Sequence, residues 1–142
     1  MATKNENKLG GGKTALYNAY RPTKFDDVTG QEIPVQTMRN AIKNGNVANA
    51  YLFAGPRGIG KTTTARIFAK GILCMNADRN ESDGCDECES CKEFDENVNP
   101  DFLEIDAATN RGIENIRDLK NRISIAPVTS DHRVVLIDEV HH

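Results

Sequence analysis

The sequence predicts an α/β domain, a parallel sheet with flanking helices, and three observations carry that class. Apolar runs of strand length alternate with segments of helical periodicity, as a parallel sheet with crossover helices requires. A glycine-rich stretch, GPRGIGKT at 55–62, separates the first such run from the first long helix. Four cysteines then fall within 18 residues, so a small inserted module interrupts the alternation.

Taken in order, residues 1–15 are polar, Gly-rich and without periodicity, and read as a flexible tail. Residues 16–142 form the domain, opening with the turn-rich YNAYRPTKFDDVTGQ. Val35, Met38, Ala41 and Ile42 mark a helix, with Pro34 allowed in its first turn and Gly45 suited to its stop. Tyr51–Leu52–Phe53–Ala54 reads as a buried parallel strand. Ala65, Phe68, Ala69, Ile72 and Leu73 form the stripe of a second helix. Phe102–Leu103–Glu104–Ile105–Asp106 is a second strand. Ile113, Ile116, Leu119 and Ile123 mark a further helix, with Thr109 or Asn110 placed to cap it. Val134–Val135–Leu136–Ile137 is a third strand, ending in Asp138–Glu139.

At 38% hydrophobic and 27% charged, the 142 residues read as a soluble globular chain. No apolar run approaches the roughly 20 residues of a membrane span. The start, MATKNENKLGGGKT, lacks the apolar core of a signal peptide, so a cytoplasmic protein is the expectation. Net charge is −3, unevenly spread. Residues 1–73 carry 11 basic and 4 acidic side chains, residues 74–107 carry 2 and 12, and residues 108–142 carry 5 of each. The basic first part suits a phosphate-rich ligand, but solvated helix faces explain it equally well.

GKT occurs twice, at 12–14 and 60–62. A phosphate loop needs glycine, four residues, then Gly-Lys-Ser/Thr, with a strand before and a helix after. The first copy has Asn7 where that glycine belongs, no strand before it, and Pro22 soon after. The second has every element. Small residues let backbone N–H groups curl around phosphates, and the helix that follows aims its positive end at them. The candidate nucleotide-binding residues are therefore Gly55, Pro56, Arg57, Gly58, Ile59, Gly60, Lys61, Thr62 and Thr63. Lys61 supplies a charge at the outer phosphates and Thr62 a hydroxyl for Mg²⁺. VVLIDE has the form of the acidic strand that partners such a loop. Asp138 would sit beside Thr62 and orient the magnesium, and Glu139 would act as general base on the attacking water.

The cysteines follow C-x10-C-x2-C-x2-C: Cys74, Cys85, Cys88 and Cys91. Four thiolates at knuckle spacing can close a tetrahedral Zn²⁺ site and leave no position for a catalytic water. The polar MNADRNESDG between them cannot order itself by packing, which a metal would remedy. An iron–sulfur cluster and unliganded thiols are the alternatives, though ferredoxin runs continue C-x3-C-P and Cys91 is followed by KEFD. Asp83, Asp86, Glu87 and Glu89 read as a solvated surface and disfavour a grip on DNA.

Placed together, YNAYRPTKFDDVTGQ, QTMRNAIKNG, LFAGPRGIGKTTTARIFAK, the four cysteines, FLEIDAATNRGIENIRDL and VVLIDEVH closely resemble one family over residues 17–141. It is the gamma/tau family of bacterial DNA polymerase III, the ATPase of the sliding-clamp loader. The resemblance implies an AAA+ fold that binds ATP and Mg²⁺ and hydrolyses ATP, with Zn²⁺ on the four cysteines. It implies a hetero-pentamer with delta and delta-prime subunits that opens the sliding clamp and leaves it on primer-template DNA for the polymerase III core, with no membrane partner. It also implies that Tyr20, Arg21, Pro22 and Val28 line the adenine pocket. The expected sheet order puts a later strand, beyond residue 142, between Tyr51–Ala54 and Val134–Ile137. A sensing polar residue, a neighbour's arginine, a lid, a collar and a polymerase-binding tail are expected there too. On that reading the 142 residues are an N-terminal fragment, too weakly ordered to hydrolyse ATP alone. The rival readings are an ATPase-inactive scaffold of the delta-prime type, another AAA+ motor of DNA replication or recombination, and a purely nucleic-acid-binding zinc module.

Overall fold

In the computed structural model, which describes residues 21–76, 82–109 and 112–141, helix α1 spans Glu32–Lys43. The spacing of Val35, Met38 and Ile42 puts all three on one buried face. Pro34 lies in the first turn, where its missing N–H leaves no carbonyl unpaired. Ahead of α1, a single 3-10 turn at Phe25–Asp27 drops Phe25 into the same cluster at 1% exposure.

Helix α2 (Lys61–Leu73) is the element the others share. Two clusters press on it from different sides. Phe25, Val35, Met38 and Ile42 meet its Ile67 and Phe68, while Phe94, Phe102 and Val134 meet its Ala69 and Leu73. Each such large apolar side chain removed from water contributes about 1.5–3 kcal/mol, so α2 is held from both flanks. That double packing is why burial extends beyond the apolar stripe to Thr64, Lys70 and Gly71. At Gly71 a Cβ would run into the Ser82 carbonyl and Ile42 Cδ1, so the cysteine segment can cross the helix there only over a hydrogen.

Helix α3 (Glu89–Asp95) is a short helix that the sequence does not announce by periodicity. Its cap is Cys88, whose sulfur accepts from the Cys91 N–H, and its Phe94 anchors the second cluster. Beyond it lies Asp101, 0% exposed, whose carboxylate accepts the N–H groups of Val128, Thr129 and Ser130 at 2.6, 2.8 and 2.7 Å. Burial pushes this carboxyl up, but the three amides, with Arg133 at 3.7 Å, hold it below its ordinary value. The loop that feeds the last strand is thereby clamped.

Strands β1 (Phe102–Asp106) and β2 (Val134–Asp138) pair in parallel, with Phe102 opposite Val134 and Asp106 opposite Asp138. Helix α4 (Ile113–Ile123) connects them, and α2 packs on β2.

Some expectations are corrected. Among the described residues the sheet has two strands, and Tyr51–Ala54 lies outside it without regular secondary structure, with Leu52 81% exposed. An apolar run becomes a strand only when a neighbouring backbone takes up its N–H and C=O groups, and β1 and β2 pair with each other instead. Helix α4 forms, but Ile113 and Ile116 on its apolar stripe are 71% and 64% exposed, so it does not cover the sheet. Its N-cap is Gly112, which offers no side chain, while Thr109 turns back to bond the Asp106 carbonyl; Asn110 lies outside the described residues. The acidic residues around the cysteines are not all solvated surface. Asp83 accepts the Phe25 N–H, and Asp86 binds Lys24 and Lys70.

Candidate functional site

The glycine-rich stretch leads directly into α2 through Gly60, whose φ of +84° is a conformation glycine adopts at no steric cost. Gly60 supplies no side-chain cap. The helix therefore opens with its amide groups and positive dipole end turned to the loop, the arrangement that receives anions. Lys61 folds back over the same loop, its Nζ donating to the Gly55 and Pro56 carbonyls at 2.5 and 2.9 Å.

From the other direction β2 delivers Asp138. Its Oδ2 accepts the Thr62 hydroxyl at 2.9 Å, across 76 residues of sequence. Its Oδ1 accepts the Glu139 N–H at 2.9 Å, and its backbone carbonyl accepts the Ala107 N–H at 2.9 Å, so the carboxylate is oriented as well as placed. Glu139 follows in the left-handed region, at φ +55°. A non-glycine residue there costs of order 1–3 kcal/mol and persists where its surroundings enforce it, a pattern that clusters at functional sites. Its carboxylate lies 3.3 Å from His141 Nε2.

The remaining site residues named from sequence divide. Arg21 Nε donates to the Thr63 hydroxyl at 3.1 Å, which ties the N-terminal segment to the first turn of α2. Arg21 and Pro22 border a cleft of about 430 Å³ together with Arg66, Phe94 and Asn97. Ile59 and Lys61 border a different cleft, of about 250 Å³, with Gln31, Pro34, Met38 and Phe53. Val28 borders neither; it packs on the core between α1 and α2. Tyr20, like Lys13 and the first GKT, lies outside the described residues. Gln31, Pro34 and Met38 beside the loop carry no signal in the sequence beyond helical spacing.

The four cysteine sulfurs lie within 4.8 Å of one another. A tetrahedron of sulfurs around zinc, at Zn–S of about 2.3 Å, has edges of about 3.8 Å, so the cluster suits one such ion with small adjustment. Backbone amides already point at the sulfurs, from Cys88 to Cys85 at 3.3 Å and from Cys91 to Cys88 at 3.4 Å. Burial pushes the Cys91 thiol up, strongly, and Cys74 up as well. At Cys85 burial acts upward too, but the Glu87 and Cys88 amides and the neighbouring thiols outweigh it and bring the thiol down to about 7. Four ionised sulfurs this close repel one another, and a divalent cation at their centre reverses that balance.

Comparison with known proteins gives the same setting. A family model described as DNA polymerase III, delta subunit, matches residues 30–142. The tau subunit of DNA polymerase III from Bacillus subtilis (strain 168) is 45% identical over 127 residues, 89% of this chain and 22% of that protein. The gamma/tau subunit of Mycoplasma pneumoniae is 41% identical over 129 residues, 91% of this chain and 18% of its own. That of Mycobacterium tuberculosis (strain H37Rv) is 42% identical over 129 residues, 89% and 22%. The chain thus spans about a fifth of the length of these relatives. Because the family match takes in both Thr62 and Asp138, and the cysteines between them, the chain belongs to the family described as DNA polymerase III, delta subunit, alongside relatives named gamma/tau.

Proposed function

We propose that the chain is the nucleotide-binding part of an AAA+ ATPase subunit of the bacterial DNA polymerase III clamp loader. The observation that carries this reading is the Thr62–Asp138 hydrogen bond at the mouth of the glycine-rich loop. It brings the loop hydroxyl and the acidic strand, the two metal-orienting groups of such ATPases, to one point.

The backbone of Gly55–Thr63 surrounds the phosphates of ATP, and Lys61 turns from its loop carbonyls to the outer phosphates. Thr62 and Asp138 hold Mg²⁺, which when bound neutralises charge on the transferring phosphoryl group. Glu139, fixed at the end of β2, takes the proton from the attacking water. On the base side, Arg21 has the support of its bond to Thr63 and Pro22 shares its cleft, while Val28 packs on the core and Tyr20 enters through the resemblance alone. Cys74, Cys85, Cys88 and Cys91 hold a structural zinc, supported by the convergence of their sulfurs.

In this reading residues 1–15 are a tail, and residues 16–142 are the first part of the ATPase domain with the module 74–91 inserted. The full-length protein assembles with delta and delta-prime subunits into a hetero-pentamer. It opens the sliding clamp and loads it on primer-template DNA for the polymerase III core, in the cytoplasm. Among the described residues no helix is long and apolar enough to cross a membrane. The family description, naming a delta subunit, favours a second reading, a scaffold without ATPase activity. Intact Gly60, Lys61 and Thr62 argue against it.

Equilibrium binding of Mg²⁺–ATP to the full-length protein tests the proposal. Lys61→Ala removes a charge-assisted contact and should weaken binding about 10- to 150-fold, while Lys13→Ala leaves it unchanged. Equal losses from the two changes, or no loss from either, overturn the assignment of the second loop.

A further inference from the structure

The segment from Arg21 to Val28 touches both candidate sites, and we infer that Lys24 is a positioning residue through which the four-cysteine module sets the nucleotide loop. The inference rests on the proposed nucleotide binding at Gly55–Thr62 and adds a route to it. Lys24 Nζ donates to the Gly84 carbonyl at 3.0 Å and lies 2.7 Å from Asp86 Oδ2. The next residue, Phe25, donates its N–H to Asp83 Oδ2 at 3.0 Å. All three acceptors belong to the cysteine module, and Asp86 directly follows Cys85.

At the other end of the same segment, Arg21 holds the Thr63 hydroxyl in the first turn of α2. Only Pro22 and Thr23 separate the two grips. Beyond them the 3-10 turn is closed by the Val28 N–H on the Phe25 carbonyl at 3.1 Å, and the Phe25 ring, buried against α2, anchors the segment's far end. A second tie runs in parallel. Lys70 of α2, 4% exposed, reaches Asp86 Oδ1 at 2.6 Å and Asp95 Oδ1 at 2.7 Å. Asp86 is therefore shared between the N-terminal segment and α2. A buried ammonium stripped of its carboxylates is strongly disfavoured, so these contacts favour one arrangement rather than a range.

With the module ordered, the loop and the segment beside it are held together before nucleotide arrives, which removes part of the ordering cost of binding. Coupling of this kind is reciprocal. Nucleotide on the loop tightens the cysteine module by the same factor.

The experiment uses the full-length protein, a fluorescent ATP analogue for affinity, and a chromogenic disulfide for the labelling rate of the cysteines. In the unaltered protein saturating ATP should slow labelling about fivefold, the lower end of ordinary coupling between sites. Lys24→Ala should bind ATP more weakly, by up to about fivefold, and most of the slowing of labelling by saturating ATP should be lost, the parallel Lys70 tie keeping the remainder. Asp83→Ala, which removes the acceptor of the Phe25 N–H, should behave likewise, and provides the measurement if circular dichroism shows Lys24→Ala misfolded. Lys92→Ala, exposed on α3, should keep the full protection. A purely structural role for Lys24 would raise labelling with and without ATP alike and leave their ratio unaltered, which overturns the inference. An unaltered protein that binds no ATP overturns the proposed function, and this inference with it.

Discussion

The Thr62 hydroxyl and the Asp138 carboxylate meet at 2.9 Å although one opens α2 and the other closes β2. Nothing local joins them. They meet because α2 packs on β2 through Ala69 and Leu73 against Val134, which fixes how far the strand's end lies from the helix's start.

If these two groups share one Mg²⁺, Thr62→Val and Asp138→Asn should each abolish most of the gain in ATP affinity that Mg²⁺ confers. Binding in the presence of a chelator should change little. The double variant should lose about 1 kcal/mol less than the two single losses together, since neighbours acting on one ion are not additive. Titrations with and without Mg²⁺ give all four values, and full additivity would separate the two roles.

Glu139→Gln should preserve ATP and Mg²⁺ binding while slowing hydrolysis about 10²- to 10⁴-fold, because an amide cannot take a proton from water. Single-turnover hydrolysis by the full-length protein checks this. Unaltered turnover would remove Glu139 from the chemistry and leave its left-handed backbone without a functional account.

One zinc per chain is expected by elemental analysis, bound by Cys74, Cys85, Cys88 and Cys91. Its removal should lower the thermal midpoint by roughly 5 °C or more, on the order of 2 kcal/mol for a domain of this size. Iron, or four freely titrating thiols in the native protein, would contradict the assignment.

Asp101→Asn should cost about 2–4 kcal/mol in unfolding free energy, because one fully buried carboxylate serves three amides and lies by Arg133. The sign of the pH effect follows from the direction of its shift. A carboxyl held below its unfolded value contributes stability that is complete above about pH 4 and is lost as pH falls through the folded value. Denaturant unfolding between pH 2.5 and 6 should show that loss in the unaltered protein and a flatter profile in the variant.

What the sequence by itself determined is what repeats locally or is written in residue type. Helical spacing placed α1, α2 and α4, and the apolar runs placed β1 and β2; the register of Gly55, Gly60, Lys61 and Thr62 is what makes the second GKT the candidate loop. The cysteine spacing foretold a cluster, and the sulfurs converge. Tertiary structure decided the rest. Lys70 is an ordinary helical lysine in the sequence, and its burial depends on Asp86 and Asp95 arriving from another segment. Asp101 reads as a polar residue before a strand, and its role depends on a loop 27 residues later offering three amides. The apolar run Tyr51–Ala54 has strand composition, yet it stays outside the sheet because a strand is a relation between two backbones. Periodicity reports which face of an element is apolar. Which face finds a partner is settled by what the rest of the chain brings to it.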